Sequence, residues 1–297
     1  MVYSHFKISP FTNPTLSHIA KYDDKPKTPC PHCTKNRKYF CYDCCTPMIE
    51  NPPTISKLPL HCVIIQHKQE RKGKSTAIHA KVVAHSSADL YEFPDIPSFL
   101  TPQNCVLVYP SKTARLVSQL FKKPTDDNNT TTTSSSSTSS ETAPTINVST
   151  LKYAVFIDST WPQAKQIYRN EFVKSLPCVI IEEKETLFWR YQREGQKFLS
   201  TIEAIFYFYR EYLQALNEYG DEETKQSTPS DVPLENLLYY YIHQYCLIQS
   251  YYAKDLNKKI TTKKADNQNY IKYDLMGVAD ENNSSNLEPP LKKLKED

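Results

Sequence analysis

The chain has 297 residues, of which 39% are hydrophobic, and carries a formal net charge of +3 at pH 7. This length fits one mid-sized domain with a small additional module. Its 4 glycines (Gly73, Gly195, Gly220 and Gly277) are isolated, which argues against the Gly-rich phosphate loops of dinucleotide-binding Rossmann enzymes and P-loop NTPases. The small positive charge permits RNA binding through local patches but does not by itself indicate it.

No targeting or membrane segment is expected. Residues 1–14 lack the apolar core of a signal peptide, and no run of about 18 apolar residues is present. An intracellular, reducing compartment is therefore expected. In such a compartment, clustered cysteines are more often metal ligands than disulfides.

Composition divides the chain into segments. Two polar stretches cannot bury enough apolar surface to form a core, so they are predicted to be insertions. Near its end the tail carries Lys292, Lys293 and Lys295, which form either a weak basic patch or part of a solvated terminus. The predicted segments are a flexible arm (1–29), a zinc-binding module (30–48), a globular domain (58–254) with a disordered insertion (124–147) and a polar loop (220–232), and a polar charged tail (255–297).

The first motif in the chain is a pair of C-x-x-C sequences. Cys30 and Cys33 are followed closely by Cys41 and Cys44. Four thiolates at this spacing suit a tetrahedral zinc site with Zn–S distances of about 2.3 Å. A site with four protein ligands has no open position, so the zinc is predicted to be structural. Unligated thiols in a loop are the alternative.

Two features leave the details of this module open. Cys45 and His32 are spare donors that could replace one of the predicted ligands. The module also mixes basic and aromatic side chains, which suits RNA backbone contact and base stacking or, equally, a solvated face packed on the main domain. The basic residues are Lys35, Arg37 and Lys38, and the aromatic ones are Tyr39, Phe40 and Tyr42.

Short apolar runs rich in Val and Ile predict strands. They lack clean alternation, as is typical of strands buried on both faces of a parallel sheet. Helical patterns fill the gaps, and strand–helix alternation predicts an α/β fold with reactive groups at the carboxyl ends of the strands. The predicted strands are 62–66, 105–109, 154–157 and 178–181, and the predicted helices are 75–84, 112–122, 161–173, 201–218 and 234–252.

Polar turns follow these strands. Asp158 comes directly after the third run, and Thr160 with Gln163 forms a capping box at the start of a helix. From these residues alone, the simplest interpretation is that Thr160 caps the helix and that Asp158 is a turn residue. Ser200 and Glu203 form a second capping box, and a helix N-terminus suits a carboxylate or phosphate.

These segments together resemble the DTW-domain family, the tRNA-uridine aminocarboxypropyltransferases. The D-x-T-W signature matches Asp158, Thr160 and Trp161. The resemblance covers about 30–219. The sequence of residues 38–44 resembles that of the eukaryotic branch of the family, which modifies position 20 of the tRNA D-loop. The other matching residues are His67 with Glu70, Ser75, Thr76 and His79, Tyr109 with Pro110, Arg190 with Tyr191, and the run from Leu199 to Ala204.

The resemblance implies a SPOUT-like α/β domain with a deep knot. It also implies transfer of the 3-amino-3-carboxypropyl group of S-adenosyl-L-methionine to uridine N3 in tRNA, forming acp3U and releasing methylthioadenosine. A nuclear rather than cytoplasmic location is favoured, with no membrane contact. The implied roles are catalysis for Asp158, Thr160 and Trp161, cofactor binding for Tyr109, Pro110, Arg190, Ser200, Thr201 and Glu203, and substrate binding for His67, Glu70, Ser75, Thr76 and His79.

Uracil N3–H is a weak acid, so a nearby base would help the transfer, and Asp158 is the candidate, acting directly or through water. Trp161 either stacks on a ring or packs in the core. Two other functions remain open from the sequence. One is a SPOUT-type RNA methyltransferase, and the other is a non-enzymatic zinc-containing RNA-binding or assembly factor.

Overall fold

The computed structural model describes residues 16–122, 146–189 and 197–253. Its elements alternate between strands and helices over most of the chain. The strands are β1 (Thr28–Pro29), β2 (Asn36–Arg37), β3 (Phe40–Cys41), β4 (Thr46–Pro47), β5 (His61–His67), β6 (Ala88–Phe93), β7 (Cys105–Val108), β8 (Arg115–Leu116), β9 (Tyr153–Asp158) and β10 (Cys178–Ile180). The helices are α1 (Ser17–Ala20), α2 (Ile78–Val83), α3 (Trp161–Tyr168), α4 (Glu171–Ser175), α5 (Thr201–Tyr219), α6 (Glu222–Ser227) and α7 (Tyr239–Ala253), with 3-10 turns at Val117–Gln119, Val148–Thr150 and Leu234–Leu238.

A parallel sheet of six strands forms the centre of the fold. Its strand order is β6-β5-β9-β7-β10-β8, and each neighbouring pair is parallel. All its carboxyl ends therefore point to one edge, as the apolar runs predicted. The α/β fold expected from the sequence is confirmed.

Helices cover both faces of the sheet, which explains why its strands are continuously apolar. Alternate residues of β5 point to opposite faces. Ile64 belongs to the core shared with α2, α5 and α7, whereas Ile65 belongs to the core shared with α3 and α4. Phe156 and Val155 divide β9 in the same way.

The predicted helices need three corrections. Residues 112–122 form β8 and a 3-10 turn rather than a helix. Residues 161–173 break into α3 and α4 because the Asn170 side chain accepts the backbone N–H groups of Phe172 and Val173 and starts a new helix. Residues 234–252 begin with a 3-10 turn before α7.

Some segments differ from their predicted character. In the arm predicted at 1–29, Leu16 and Ile19 are buried in the core, so its described part packs on the domain. The polar loop predicted at 220–232 contains α6, which starts where the Asp221 carboxylate accepts the Thr224 N–H. The strand β6 was not predicted, because its sequence carries Asp89 and Glu92 on an edge strand. The insertion at 124–147 lies almost entirely outside the described residues, and the tail at 255–297 lies wholly outside them.

Within the described ranges, no helix is both long enough and apolar enough to cross a bilayer.

Candidate active site

Asp158 lies at the carboxyl end of β9 and is 4% exposed. Its Oδ2 accepts hydrogen bonds from Gln66 Nε2 at 2.7 Å and from Ser75 Oγ at 2.7 Å. Its Oδ1 accepts one from Thr201 Oγ1 at 2.8 Å. Three separate segments, the end of β5, the loop before α2 and the start of α5, therefore converge on one buried carboxylate.

A further hydrogen bond ties two of these segments together. The backbone N–H of Ile202, in the first turn of α5, donates to Thr76 Oγ1 at 3.3 Å. Ser75 and Thr76 are both buried, so Ser75 holds the loop to Asp158 of β9 and Thr76 holds it to α5 from within the fold. Because a buried polar group is stable only when it is hydrogen-bonded, these contacts fix the geometry of the turn.

The D-x-T-W turn contains the predicted helix cap at Thr160 and a packed Trp161. Gln163 Oε1 accepts the Thr160 N–H at 3.1 Å and the Thr160 hydroxyl at 2.8 Å, which confirms the capping interaction. Thr160 is exposed and Trp161 half-buried. The Trp161 ring packs edge-on against Phe198, with centroids 5.1 Å apart. The tryptophan therefore packs just before the start of α5, and part of its side chain stays exposed.

The second capping box is also present, and it is closed to solvent. Glu203 is fully buried, and its Oε2 accepts the Ser200 N–H at 2.8 Å and the Ser200 hydroxyl at 2.7 Å. The same carboxylate accepts the Leu187 N–H at 2.7 Å and the Thr186 hydroxyl at 2.6 Å. Burial raises the pKa of Glu203, although these donors oppose the shift. Ser200 and Glu203 therefore hold the loop after β10 against α5.

A second glutamate of α5 binds an earlier residue of the same loop. Both carboxylate oxygens of Glu211 lie 3.1 Å from the Glu182 nitrogen and accept its N–H. Glu211 is 7% exposed, and burial raises its pKa. Two buried glutamates on one helix thus hold residues 182–187, the segment that follows β10.

The remaining predicted site residues lie at several different places in the fold. His67 is buried at the end of β5 and Glu70 is half-buried, in a turn closed by the Glu70 N–H bonding the His67 carbonyl at 2.8 Å. Tyr109 stacks on Tyr168 with centroids 4.3 Å apart, next to the exposed Pro110. His79 is buried on α2, on the side facing the cysteine module. Arg190 and Tyr191 lie outside the described residues.

The four cysteines of the N-terminal module come together as predicted. The sulfurs of Cys30, Cys33, Cys41 and Cys44 all lie within 4.8 Å of one another and could hold a metal ion. Cys33 Sγ and Cys41 Sγ are 3.6 Å apart, close to the separation of about 3.8 Å that a tetrahedral Zn–S₄ site requires. The donor set therefore fits a zinc ion without rearrangement of the backbone.

Backbone geometry explains why Cys45 stands outside this cluster. Each C-x-x-C pair is followed by a residue with positive φ, Thr34 at 59° and Cys45 at 53°. The two turns thus share one conformation, which residues other than glycine adopt at a cost of about 1–2 kcal/mol. Cys45 fills the turn position in the second pair, and its half-buried thiol lies apart from the four sulfurs.

The aromatic residues of the module are half-buried and pack against the main domain. Phe40 lies edge-on to His79 with centroids 5.1 Å apart and at 4.9 Å from Tyr240. Tyr39 lies 4.8 Å from the His243 ring, and the Arg37 guanidinium lies 4.0 Å from the centroid of Tyr42. Of the two interpretations left open for these aromatics, the structure supports packing.

Comparison with known proteins identifies the family. The DTW domain profile matches residues 38–245. The chain belongs to the DTW-domain family. Residues 38–245 include the sheet, the Asp158 network and the second C-x-x-C pair.

Curated relatives agree with this membership. The chain is 32% identical over 254 residues to tRNA-uridine aminocarboxypropyltransferase 1 of Mus musculus, covering 78% of this chain and 80% of that protein. It is 35% identical over 253 residues to the Rattus norvegicus protein, with 78% and 80% covered. It is 32% identical over 268 residues to the Homo sapiens protein, with 82% and 84% covered.

A solved structure also aligns with the chain. It is described as the SAM-dependent rRNA:acp-transferase Tsr3 from Vulcanisaeta distributa, and it is 18% identical, with 63% of this chain and 84% of that chain covered. The TM-score is 0.32.

Sequence reasoning missed several residues of this site. Gln66 was included only as the end of an apolar run, although it pairs in register with Asp158 on the adjacent strand. That pairing could have been anticipated only with the strand order known. Thr186 and Glu211 belong to no motif, because each acts through a partner far away in sequence: Thr186 donates to Glu203, and Glu211 accepts from Glu182.

Proposed function

We propose that this chain is a tRNA-uridine aminocarboxypropyltransferase that moves the 3-amino-3-carboxypropyl group of S-adenosylmethionine to N3 of a D-loop uridine, forming acp3U. Methylthioadenosine is the expected by-product. Membership of the DTW-domain family supports the transferase activity and tRNA as the substrate. The relatives with this enzyme name match the chain over about 80% of their own length. Modification at position 20 is supported by the resemblance of residues 38–44 to the eukaryotic branch of the family.

The observation that supports the site is the convergence of three segments on Asp158. All three belong to the carboxyl edge of the sheet, where parallel α/β folds place reactive groups. Two of the segments carry residues of the family motifs, namely Ser75 and Thr201.

The geometry favours an indirect proton route. Asp158 is buried and accepts from three donors, of which Gln66 and Ser75 are buried while Thr201 is half-buried. Thr201 is thus the partner through which the carboxylate is nearest to solvent. In the proposed route the uracil N3 proton passes to Thr201 Oγ1, and the Thr201 hydroxyl proton passes along its existing hydrogen bond to Asp158 Oδ1.

The donor, when bound, supplies a sulfonium leaving group, so the role of the protein is to aim the γ-carbon rather than the methyl group at the base. The loop after β10, fixed by Glu203 and Glu211, and the turn at Tyr109 and Pro110 are the proposed donor-binding walls. Trp161 and Thr160 border the same edge. His67 and Glu70 remain proposed substrate-side residues. His79 does not, because it is 1% exposed and packs against Phe40 of the cysteine module.

Two structural proposals belong with this function. The metal of the four-cysteine cluster is proposed to be zinc with a structural role, because all four positions are filled by thiolates.

The sheet is proposed to be knotted in the SPOUT manner. This is supported by β9 lying between β5 and β7, and β10 between β7 and β8, so that each later strand inserts between two earlier ones. A crystal structure tracing the chain continuously from β8 to β9 tests the knot.

The deciding experiment is mass spectrometry of tRNA nucleosides and of the small-molecule by-product after incubation with the purified chain and S-adenosylmethionine. The expected products are acp3U and methylthioadenosine. Methylated uridine with S-adenosylhomocysteine would instead identify a methyltransferase, and unmodified tRNA would identify a binding factor. Substrates with the uridine moved from position 20 to its neighbour test the position. Imaging of the tagged chain tests the proposed nuclear location.

A further inference from the structure

The cysteine module contacts the very turn that carries Ser75 and Thr76. Phe40 and Tyr42 flank Cys41, a fully buried member of the four-cysteine cluster. Phe40 lies edge-on to His79 at 5.1 Å. Tyr42 lies against Gly73, where an added Cβ would be 3.3 Å from the tyrosine Cζ. The two rings beside one metal ligand therefore contact both ends of the segment from Gly73 to His79.

The middle of that segment is fastened to the active site. Ser75 donates to Asp158 at 2.7 Å, and Thr76 accepts from the Ile202 N–H at 3.3 Å. The segment is thus held between the module on one side and Asp158 and α5 on the other. The ring contact at His79 is directional, as edge-to-face pairs are, and Tyr42 lies in close contact with Gly73 at the other end, so the segment has few alternative conformations.

We propose that Phe40 and Tyr42 are positioning residues that transmit the fold of the four-cysteine module to the Gly73–Ser75–Thr76–His79 turn and thereby hold the Ser75 hydroxyl on Asp158. The module then acts as a brace of the active site rather than as a separate RNA-binding finger. The assignment of this turn to the active site rests on the proposed function, whereas the mechanical coupling does not.

The chain offers a matched control for this coupling. Tyr39 is the immediate neighbour of Phe40, but its ring packs on His243 and its hydroxyl donates to Asp23 Oδ1 at 2.9 Å. Tyr39→Ala therefore removes as large a ring from the same module without touching the turn. Phe40→Leu, which keeps apolar volume but loses the ring edge, replaces Phe40→Ala if the latter does not fold.

The test measures backbone amide exchange of residues 73–79, metal content, and kcat and KM for tRNA in wild type, Phe40→Ala and Tyr39→Ala. Phe40→Ala is expected to keep about one metal per chain and to speed exchange of 73–79 about tenfold, equivalent to about 1.4 kcal/mol. It should lower kcat with little change in KM. Tyr39→Ala should leave exchange of 73–79 as in wild type.

Two results would overturn the inference. One is unchanged exchange at 73–79 in both Phe40 variants, and the other is equal loosening by Tyr39→Ala. Wild-type chain without aminocarboxypropyl transfer would refute the proposed function alone, because amide exchange is read without any substrate. Removing the metal with a chelator gives an independent arm, in which exchange at 73–79 must rise if the module braces the turn.

Discussion

Gln66 Nε2 donates to Asp158 Oδ2 at 2.7 Å across two adjacent strands in exact register. The amide nitrogen of the glutamine must face the carboxylate, because a carboxylate oxygen only accepts. Together with Ser75 and Thr201, this contact surrounds Asp158 with donors. The side chain is therefore both a candidate proton acceptor and a junction of three segments, and the two roles can be separated by experiment.

Asp158→Asn is expected to lower both the transfer rate and the stability. Asparagine removes the negative charge and turns one acceptor oxygen into a donor, which then faces another donor. The rate should fall by about 10²–10⁴, and the free energy of unfolding by about 1–3 kcal/mol. Single-turnover transfer and thermal melting on the same preparation measure both quantities.

Asp89→Asn is the control for this change. Asp89 is a carboxylate near the amino end of β6, paired with His61 and Lys81 at the surface, so its loss should leave the rate per folded molecule unchanged. An Asp158→Asn protein that is less stable but fully active would restrict Asp158 to a structural role. The transferase assignment would survive with another group as base.

Thr201→Val is expected to slow transfer, because valine has nearly the shape of threonine but no hydroxyl to pass a proton to Asp158. It should also lower the free energy of unfolding by about 1–3 kcal/mol, because Asp158 Oδ1 loses its donor. A fall in kcat of about 10²-fold is expected for a lost proton-transfer partner. Thr201→Ser keeps the hydroxyl and should recover most of the rate. Equal rates for the valine and serine variants would contradict the proposed relay.

The elements differ in how far the sequence could predict them. The central strands were predictable because burial on both faces leaves a continuous apolar run, as in β5 and β9. The capping boxes at Thr160 and Ser200 were predictable because their partners lie three residues away. The contacts of Gln66 with Asp158 and of Glu211 with Glu182 were not, since each depends on which distant segments the fold brings together.

The metal site makes a separate prediction about stability. Cys41→Ser should lose the metal and unfold the module, since Cys41 is fully buried among the four sulfurs and structural zinc contributes roughly 10–16 kcal/mol of apparent binding energy in small peptides. Elemental analysis should find about one zinc per wild-type chain. Cys45→Ala is the control and should retain the metal. Folded, active protein without metal would contradict the structural role.

The contact between the N-terminal segment and α7 predicts a pH dependence of stability. His243 is fully buried, with Nε2 at 3.0 Å from Asp23 Oδ1. Burial lowers the pKa of His243 to about 4 from its ordinary 6.5, although Asp23 opposes the shift. Between these two values the unfolded chain binds a proton that the folded chain does not. Stability from this residue is therefore complete above 6.5 and is lost as the pH falls toward 4.

The measurement is the free energy of unfolding of wild type and His243→Phe as a function of pH. Phenylalanine keeps an aromatic ring against Tyr39 but cannot titrate. The wild type should lose up to about 1.4 kcal/mol per pH unit relative to the variant between pH 6.5 and 4. Taking the difference cancels the opposite contribution of Glu203, whose raised pKa is common to both proteins. Parallel pH curves for the two proteins would show that His243 binds its proton equally well in the folded and unfolded chains.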